Sequence, residues 1–514
     1  MSEPLRLAEL LVGMSLVADV GMGFDPGEAA RSCLIASRLA DELAPPAHSD
    51  VYYVALLQHI GCTAYAHEAA DLLGGDEIAV KAAAVRTDFT RPREVLLGYL
   101  PQLAPGAGVL VRLRAAGVAA TRAKRITDGY SRANCEVAAH TAQRVGLGAG
   151  VVEALGQTFE WWNGKGAPLG LRGEEIALPA RVAQVAGHAA LFDRLGGPEL
   201  AVETVRRRAG TSLDPALADA FCRNAGAILG ELADADVVPA AVAAEPAPAV
   251  RVPEADLDTI CRALGDAVDL KSPLHHDHSA GVATLAAAAA EQLGLDAADV
   301  AAVRRAGFLH DIGRAAVPNG IWERPGSLTE SDWERVRLHA YHSERIVCRC
   351  GPLAPIGPLA GMHHERLDGS GYHRGAGARA LPMTARVLAA ADARQAMGQR
   401  RAHRDALAPE AAAGELAACV SRGQLDGDAV RAVLAASGSP APRVARPAGL
   451  TDRQVEVLRL VAEGLSNPSI ARRLVISRRT AERHVQDIYA RIGVSSRAGA
   501  ALFAMEHDLL REDR

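Results

Sequence analysis

Apolar residues along this chain recur at helical spacing more than in alternation, and the pattern is sharpest near the C-terminus. There Thr451 stands where a helix cap belongs, Val455, Leu458 and Val461 follow on one face, and Gly464 supplies a stop. Asn467-Pro468 opens a second helix, since proline suits the first helical position. A short turn at Val475-Ile476-Ser477 leads to a third, which starts at Arg478-Arg479-Thr480 and ends at Gly493. Upstream, residues 274–294 read as a long Ala-rich helix with His278 near its start. Residues 302–312 read as another, which ends in His310-Asp311 and Gly313.

Two stretches break the periodicity. Residues 237–253 and 436–449 are rich in Pro and Ala without a helical repeat, and are expected to be flexible or extended linkers. They divide the chain into 1–236, 254–435 and 450–514. A length of 514 residues is too much for one core and agrees with about three domains. Apolar residues make up 49% of the chain but aromatic ones only 4%, which favours helices packed through small side chains. The expected fold class is all-α.

The net charge of −5 offers no global attraction to polyanions, so nucleic-acid binding has to reside in a local region. Residues 450–500 are such a region, with nine arginines against five acids. No run of about twenty apolar residues occurs, and Met1-Ser2-Glu3-Pro4 lacks the features of a signal peptide. No membrane association and a cytoplasmic location are expected. The eight scattered cysteines, Cys348 and Cys350 included, are read as reduced thiols.

The chemistry concentrates between His310-Asp311 and Asp392, with His339 and the run His363-His364-Glu365-Arg366-Leu367-Asp368-Gly369-Ser370-Gly371-Tyr372 in between. Imidazoles and carboxylates suit a pair of hard or borderline divalent ions, and one carboxylate can bridge them. The order and spacing resemble the HD-GYP family of metal-dependent phosphohydrolases, whose known members open cyclic di-GMP. The resemblance runs over about residues 272–407.

It implies two divalent ions, Fe, Mn or similar. His278, His310, Asp311 and Asp392 would surround one, and Asp311, His339, His363 and His364 the other, with Asp311 as the bridge. His275 and His276 neighbour His278, which is preferred because Ser279 and the helix beyond match the family's helix. Leu274 stands where some members carry a glutamate for a third ion, which favours two. Arg314 stands where the family usually has lysine and is expected to meet substrate phosphate and act in catalysis. Gly369, Gly371 and Tyr372 would face substrate, while His373 replaces the proline of the name-giving triplet.

The N-terminal piece looks like a worn copy. At an offset of about 205, Glu160-Trp161-Trp162-Asn163-Gly164-Lys165-Gly166 falls against Glu365 to Gly371, and Pro179-Ala180-Arg181-Val182 falls against the stretch from Met383 to Val387. At the ligand positions it carries Gln58, His59, Asn134, Thr158, Phe159 and Gly187. Two tandem HD-type helical domains are therefore expected, the first degenerate and without metal ligands.

The C-terminal piece has the helix-turn-helix arrangement. It resembles the LuxR-type domain through Gly464-Leu465-Ser466-Asn467, Ile470-Ala471, Thr480 and Ile492-Gly493-Val494-Ser495-Ser496-Arg497. Arg478, Arg479, Thr480 and Arg483 are the expected contacts to double-stranded DNA, whereas Val485, Ile488 and Ile492 belong to the core. Glu482 sits where many relatives have lysine. Together the resemblances imply a cytoplasmic transcription regulator that binds DNA as a homodimer and carries a phosphodiesterase centre for a cyclic (di)nucleotide. A nucleotide sensor without turnover and a phosphohydrolase of another ester are the alternatives.

Overall fold

The structure is a computed structural model that describes residues 5–510 apart from 44, 90, 106, 439–446 and 508. Most of the second expected linker, 436–449, lies outside the described residues. The fold is all-α. The two short strands among the described residues, Leu5–Arg6 and Arg251–Val252, pair antiparallel. The chain divides into two compact units, one of residues 1–65, 72–257 and 349–352, the other of residues 66–71, 258–348 and 353–514.

In the first unit the Leu7–Met22 helix is apolar on nearly every face and buried accordingly. Helices Glu28–Leu43, His48–Leu57 and Leu178–Arg208 pack with one another beside it. The expected linker 237–253 is corrected here. Val237–Ala243 forms a helix, with its proline in the first turn where the missing N–H costs little. Tyr52 Oη donates to Ala241 O at 2.7 Å, and Arg6 pairs with Glu245 at 2.7 Å, so the segment is part of the unit.

In the second unit the His278–Gln292 helix packs against Ala297–Leu309, Met383–Met397 and Gly427–Ala436. Small residues permit the close approach: a Cβ on Gly307 would collide with the backbone of Ala283. The expected helix over 274–294 begins later than foreseen. Pro273–His275 is a 3-10 turn, Asp277 sits at φ 60, and His278 is the first residue of the helix proper. The helix expected over 302–312 starts earlier, at Ala297, where Asp296 accepts from Asp299 N at 2.8 Å. It ends at Leu309, so His310 and Asp311 occupy the turn beyond it.

The C-terminal residues belong to the same unit. Thr451 and Gln454 form a capping box on Asp452–Ala462, Ser466 caps Asn467–Arg473, and Ser477 caps Arg478–Ile492, which Gly493 terminates at φ 72. A fourth helix, Arg497–Glu506, closes their core over Leu458, Ile470, Val485 and Ile488. Arg262 Nη2 donates to Met505 O at 2.7 Å.

Several local features recur in the two units. Buried Glu365 accepts from Arg374 N and Ala376 N, each at 2.7 Å, and buried Glu160 accepts from Leu169 N at 2.5 Å and Leu171 N at 3.0 Å. Gly371 and Gly166 lie against those glutamates so closely that any Cβ would collide with the backbone. Arg386 pairs with Asp426 at 3.0 Å and Arg181 with Asp214 at 2.7 Å, and each aspartate caps the helix that follows it.

One position is out of keeping with its surroundings. Val475, between the second and third C-terminal helices, has φ 53 and is 91% exposed. A β-branched residue there is strained and gains nothing from burial. Val475→Gly is expected to raise the unfolding free energy by about 1 kcal/mol, read as a higher denaturant midpoint.

Candidate metal centre and nucleic-acid interface

His310 and Asp311 leave the end of one helix, His339 comes from Glu330–Val347, and His363-His364 follow Gly357–Gly361. Asp392 lies on Met383–Met397 and His278 begins its own helix. Packing of these elements brings all seven predicted ligands into one cluster. His310 and His363 are wholly buried, His339, His278, Asp392 and Asp311 nearly so, and His364 is half-buried.

Asp311 divides the cluster. Its Oδ2 lies 3.5 Å from His278 Nε2 and 3.4 Å from His310 Nε2, while its Oδ1 lies 3.2 Å from His339 Nε2 and 3.6 Å from His363 Nε2. The side chains thus fall into two groups, His278 with His310 and Asp311, and His339 with His363 and His364. Asp392 faces both, with Oδ1 at 3.2 Å from His278 Nε2 and Oδ2 at 3.6 Å from His364 Nδ1.

The imidazole tautomers are set from behind. Nδ1 of His310 donates to Gly307 O at 2.8 Å, that of His363 to Ala360 O at 2.7 Å, and that of His339 to Val336 O. In the neutral imidazole each bond leaves Nε2 bare and turned inward, the usual preparation of a ligating histidine. His339 Nε2 and His363 Nε2 lie only 3.1 Å apart, a contact that needs either a proton on one of them or a cation beside both. His310 Nε2 is buried and makes no hydrogen bond. This donor set fits divalent ions with mixed nitrogen and oxygen preference.

Burial favours the neutral forms of His363 and His364, and it lowers His278 to about 4. It also opposes ionisation of Asp311 and Asp392. The histidines around them and, for Asp311, Arg314 outweigh it and hold both below the usual carboxylate range. His310 runs the other way. Burial works against its charge, but neighbouring Asp311 and Asp392 raise it to about 9.

Arg314 is buried, donates from Nη1 to Asp311 Oδ2 at 3.2 Å, and stacks 4.7 Å over the ring of Trp322. Tyr372 lies along the His364 ring, with centroids 4.7 Å apart. Gly369 turns the loop at φ 78 and Gly371 lets it fold onto the backbone of residues 364–366, so both glycines shape the loop that carries Tyr372.

Three residues escaped the sequence reading. Trp322 also packs edge-on to His339. Arg401 donates to Leu274 O at 2.6 Å, and Asp269, ten residues before Ser279, accepts from its N at 2.8 Å and its Oγ at 3.0 Å. The basic run after Asp392 was a signal for Arg401, whereas nothing in spacing singled out Asp269 or Trp322.

In the first unit the matching positions are differently occupied. Gln58 donates to Ser32 Oγ at 3.1 Å and Asn134 to Tyr130 O at 2.8 Å, and burial lowers His59 to about 4 and His188 to about 3. Trp161 and Trp162 are half-buried, and Arg181 lies 5.8 Å over the Trp162 ring.

On the C-terminal helices Arg478, Arg479 and Arg483 are exposed at the start of Arg478–Ile492, and Val485 and Ile488 are buried beneath them. Arg478 Nε pairs with Glu482 at 2.8 Å, and the Thr480 hydroxyl meets Ser477 Oγ at 2.7 Å.

Two segments of the chain match known families. Residues 262–428 match the HD domain model, and residues 448–504 match that of the bacterial regulatory proteins of the luxR family. The 3'3'-cGAMP-specific phosphodiesterase 3 of Vibrio cholerae is 29% identical over 407 residues, 78% of this chain and 88% of that protein. A cyclic di-GMP phosphodiesterase of Thermotoga maritima is 36% identical over 132 residues, 25% of this chain and 36% of that one. A crystal structure of a V. cholerae cyclic GMP-AMP-specific phosphodiesterase aligns with a TM-score of 0.59 at 24% identity, covering 86% of this chain and 100% of that chain, and so shares its fold. The chain joins an HD domain similar to those of the HD-GYP phosphodiesterases to a luxR-family helix-turn-helix domain.

A titration test follows from His310. Its folded value of about 9 lies above the ordinary 6.5. Without added cations, the stability it lends is therefore fully present below about pH 6.5 and lost as pH rises through about 9. In chelator, the gap in unfolding free energy between wild type and His310→Gln should be widest near pH 6 and narrow toward pH 9, as read by denaturant titration.

Proposed function

We propose that the protein is a cytoplasmic transcription regulator with a two-metal phosphodiesterase centre acting on a cyclic (di)nucleotide such as cyclic di-GMP. The observation that carries this reading is the division of Asp311, whose two oxygens face separate imidazole groups. His278, His310, Asp311 and Asp392 would hold one ion, and Asp311, His339, His363 and His364 the other, with Fe, Mn or a similar metal suited to the donors. Bound there, the ions supply activation of water and neutralisation of phosphate charge.

The chain's own residues do the rest. Arg314 lends a positive charge beside Asp311, Tyr372 offers an aromatic face along His364, and Gly369 and Gly371 let that loop approach. The domains proposed are 1–236, without metal ligands, 254–435 with the centre, and 450–514 for DNA; 237–253 joins the first as structure rather than as linker. Arg478, Arg479, Thr480 and Arg483 would contact double-stranded DNA, with two chains serving two half-sites.

A second reading draws on Arg314. Because its guanidinium is committed to Asp311 and Trp322, a centre that binds nucleotide without turning it over is the alternative. Full-length, metal-loaded protein assayed against a panel of cyclic nucleotides separates the two, since catalysis requires product in molar excess over protein.

Two predictions follow from these assignments. Asp311→Ala is expected to lose bound metal and phosphodiesterase activity together, while Arg314→Lys keeps its metal and changes rate or substrate preference; metal analysis and turnover assays check both. Full activity in Asp311→Ala would overturn the assignment. Residues 447–514 are expected to bind duplex DNA with an affinity that falls steeply as salt rises. Within them, Arg483→Ala should lose about 1–3 kcal/mol and relax preference at one base position. A uniform loss across sequences would mean that Arg483 touches phosphate alone.

A further inference from the structure

Four imidazoles turn Nε2 toward Asp311, but they are not held alike. For His310, His339 and His363 the orienting acceptor is the backbone carbonyl three residues earlier, which no side-chain substitution removes. His278 stands at the first position of its helix, after Asp277 at φ 60, and its Nδ1 meets a side chain instead, Gln399 Oε1 at 2.9 Å.

The orientation of that amide is itself fixed. Gln399 Nε2 donates to His276 O at 3.2 Å, so the end facing His278 is the oxygen, which only accepts. That oxygen draws the proton to Nδ1, against Asp392 Oδ1 at 3.2 Å and Asp311 Oδ2 at 3.5 Å, which face Nε2 and draw it there until a cation takes its place. Arg401 Nη2 lies 3.4 Å from the same Nδ1. A guanidinium can only donate, and so it favours the opposite tautomer, with the proton on Nε2 where it would block a cation. Gln399 and Arg401 thus compete for one nitrogen, and the shorter contact belongs to Gln399.

We propose that Gln399 is a positioning residue that holds His278 in the tautomer presenting Nε2 to a metal ion. Resting on the two-ion reading, this makes the ion shared by His278, His310, Asp311 and Asp392 the one whose retention depends on a replaceable side chain. The other ion, two of whose histidines, His339 and His363, are tied to backbone carbonyls, does not share that dependence.

The test uses full-length protein and Mn²⁺ titrated against a competing chelator. Q399A is expected to bind one ion as wild type does and the other about 10–100-fold more weakly. Q399E, which keeps an acceptor within reach of Nδ1, should recover most of that loss. In ion-free protein labelled with ¹⁵N-histidine, the His278 signal of wild type should report a larger share of bare Nε2 than that of Q399A. Wild-type affinity for both ions in Q399A, an unchanged tautomer, or equal weakening in Q399A and Q399E would overturn the proposal. Wild type that binds no divalent ion would instead refute the two-ion reading.

Discussion

A buried carboxylate among buried imidazoles is the constraint on which the second unit depends. Asp311 lies at the turn after a helix, nearly wholly out of solvent, and its negative charge is compensated by the Arg314 guanidinium and by His310, with Nε2 of His278, His339 and His363 placed around it where a cation would complete the neutralisation. A buried charge of this kind costs several kcal/mol unless it is compensated. Each helix that carries a partner is therefore held to a narrow geometry. Gly307 lets one pair of helices approach until backbones meet, and Asp269 pins the start of the His278 helix.

The duplication separates what the fold needs from what the site needs. Glu160 and Glu365, Gly166 and Gly371, Arg181 and Arg386, and Asp214 and Asp426 perform the same tasks in both units, which marks them as parts of the scaffold. The ligand positions have no such constancy. Where the second unit has His339 the first has Asn134, whose amide turns to a backbone carbonyl in its own helix. Glu365, although it lies next to two predicted ligands, spends both oxygens on the loop that follows.

Much of this was legible in the sequence. The clustered His and Asp residues, the C-terminal helix caps and the internal repeat depend on residue type and spacing, which a chain displays openly. The structure gathers all seven predicted ligands from distant elements. What was hidden depends on three-dimensional company. The stretch 237–253 carries the composition of a linker, yet Tyr52 and Arg6 reach it from far away in sequence and make it structure. Arg314 was read as a phosphate contact, but its stacking on Trp322 follows from no local pattern. The start of the 278–292 helix lies later than expected because Leu274-His275-His276 carries no stop signal in the sequence, whereas the chain makes a 3-10 turn there and Asp277 adopts φ 60.

The central claim is that one carboxylate joins two ions in a single chain. Electron paramagnetic resonance of the full-length protein loaded with Mn²⁺ addresses it most directly, because a shared carboxylate couples the spins of the ions it bridges. The account predicts an exchange-coupled pair at saturation, lost in Asp311→Asn. A spectrum of isolated Mn²⁺ at every loading, or saturation at one ion per chain, would contradict it.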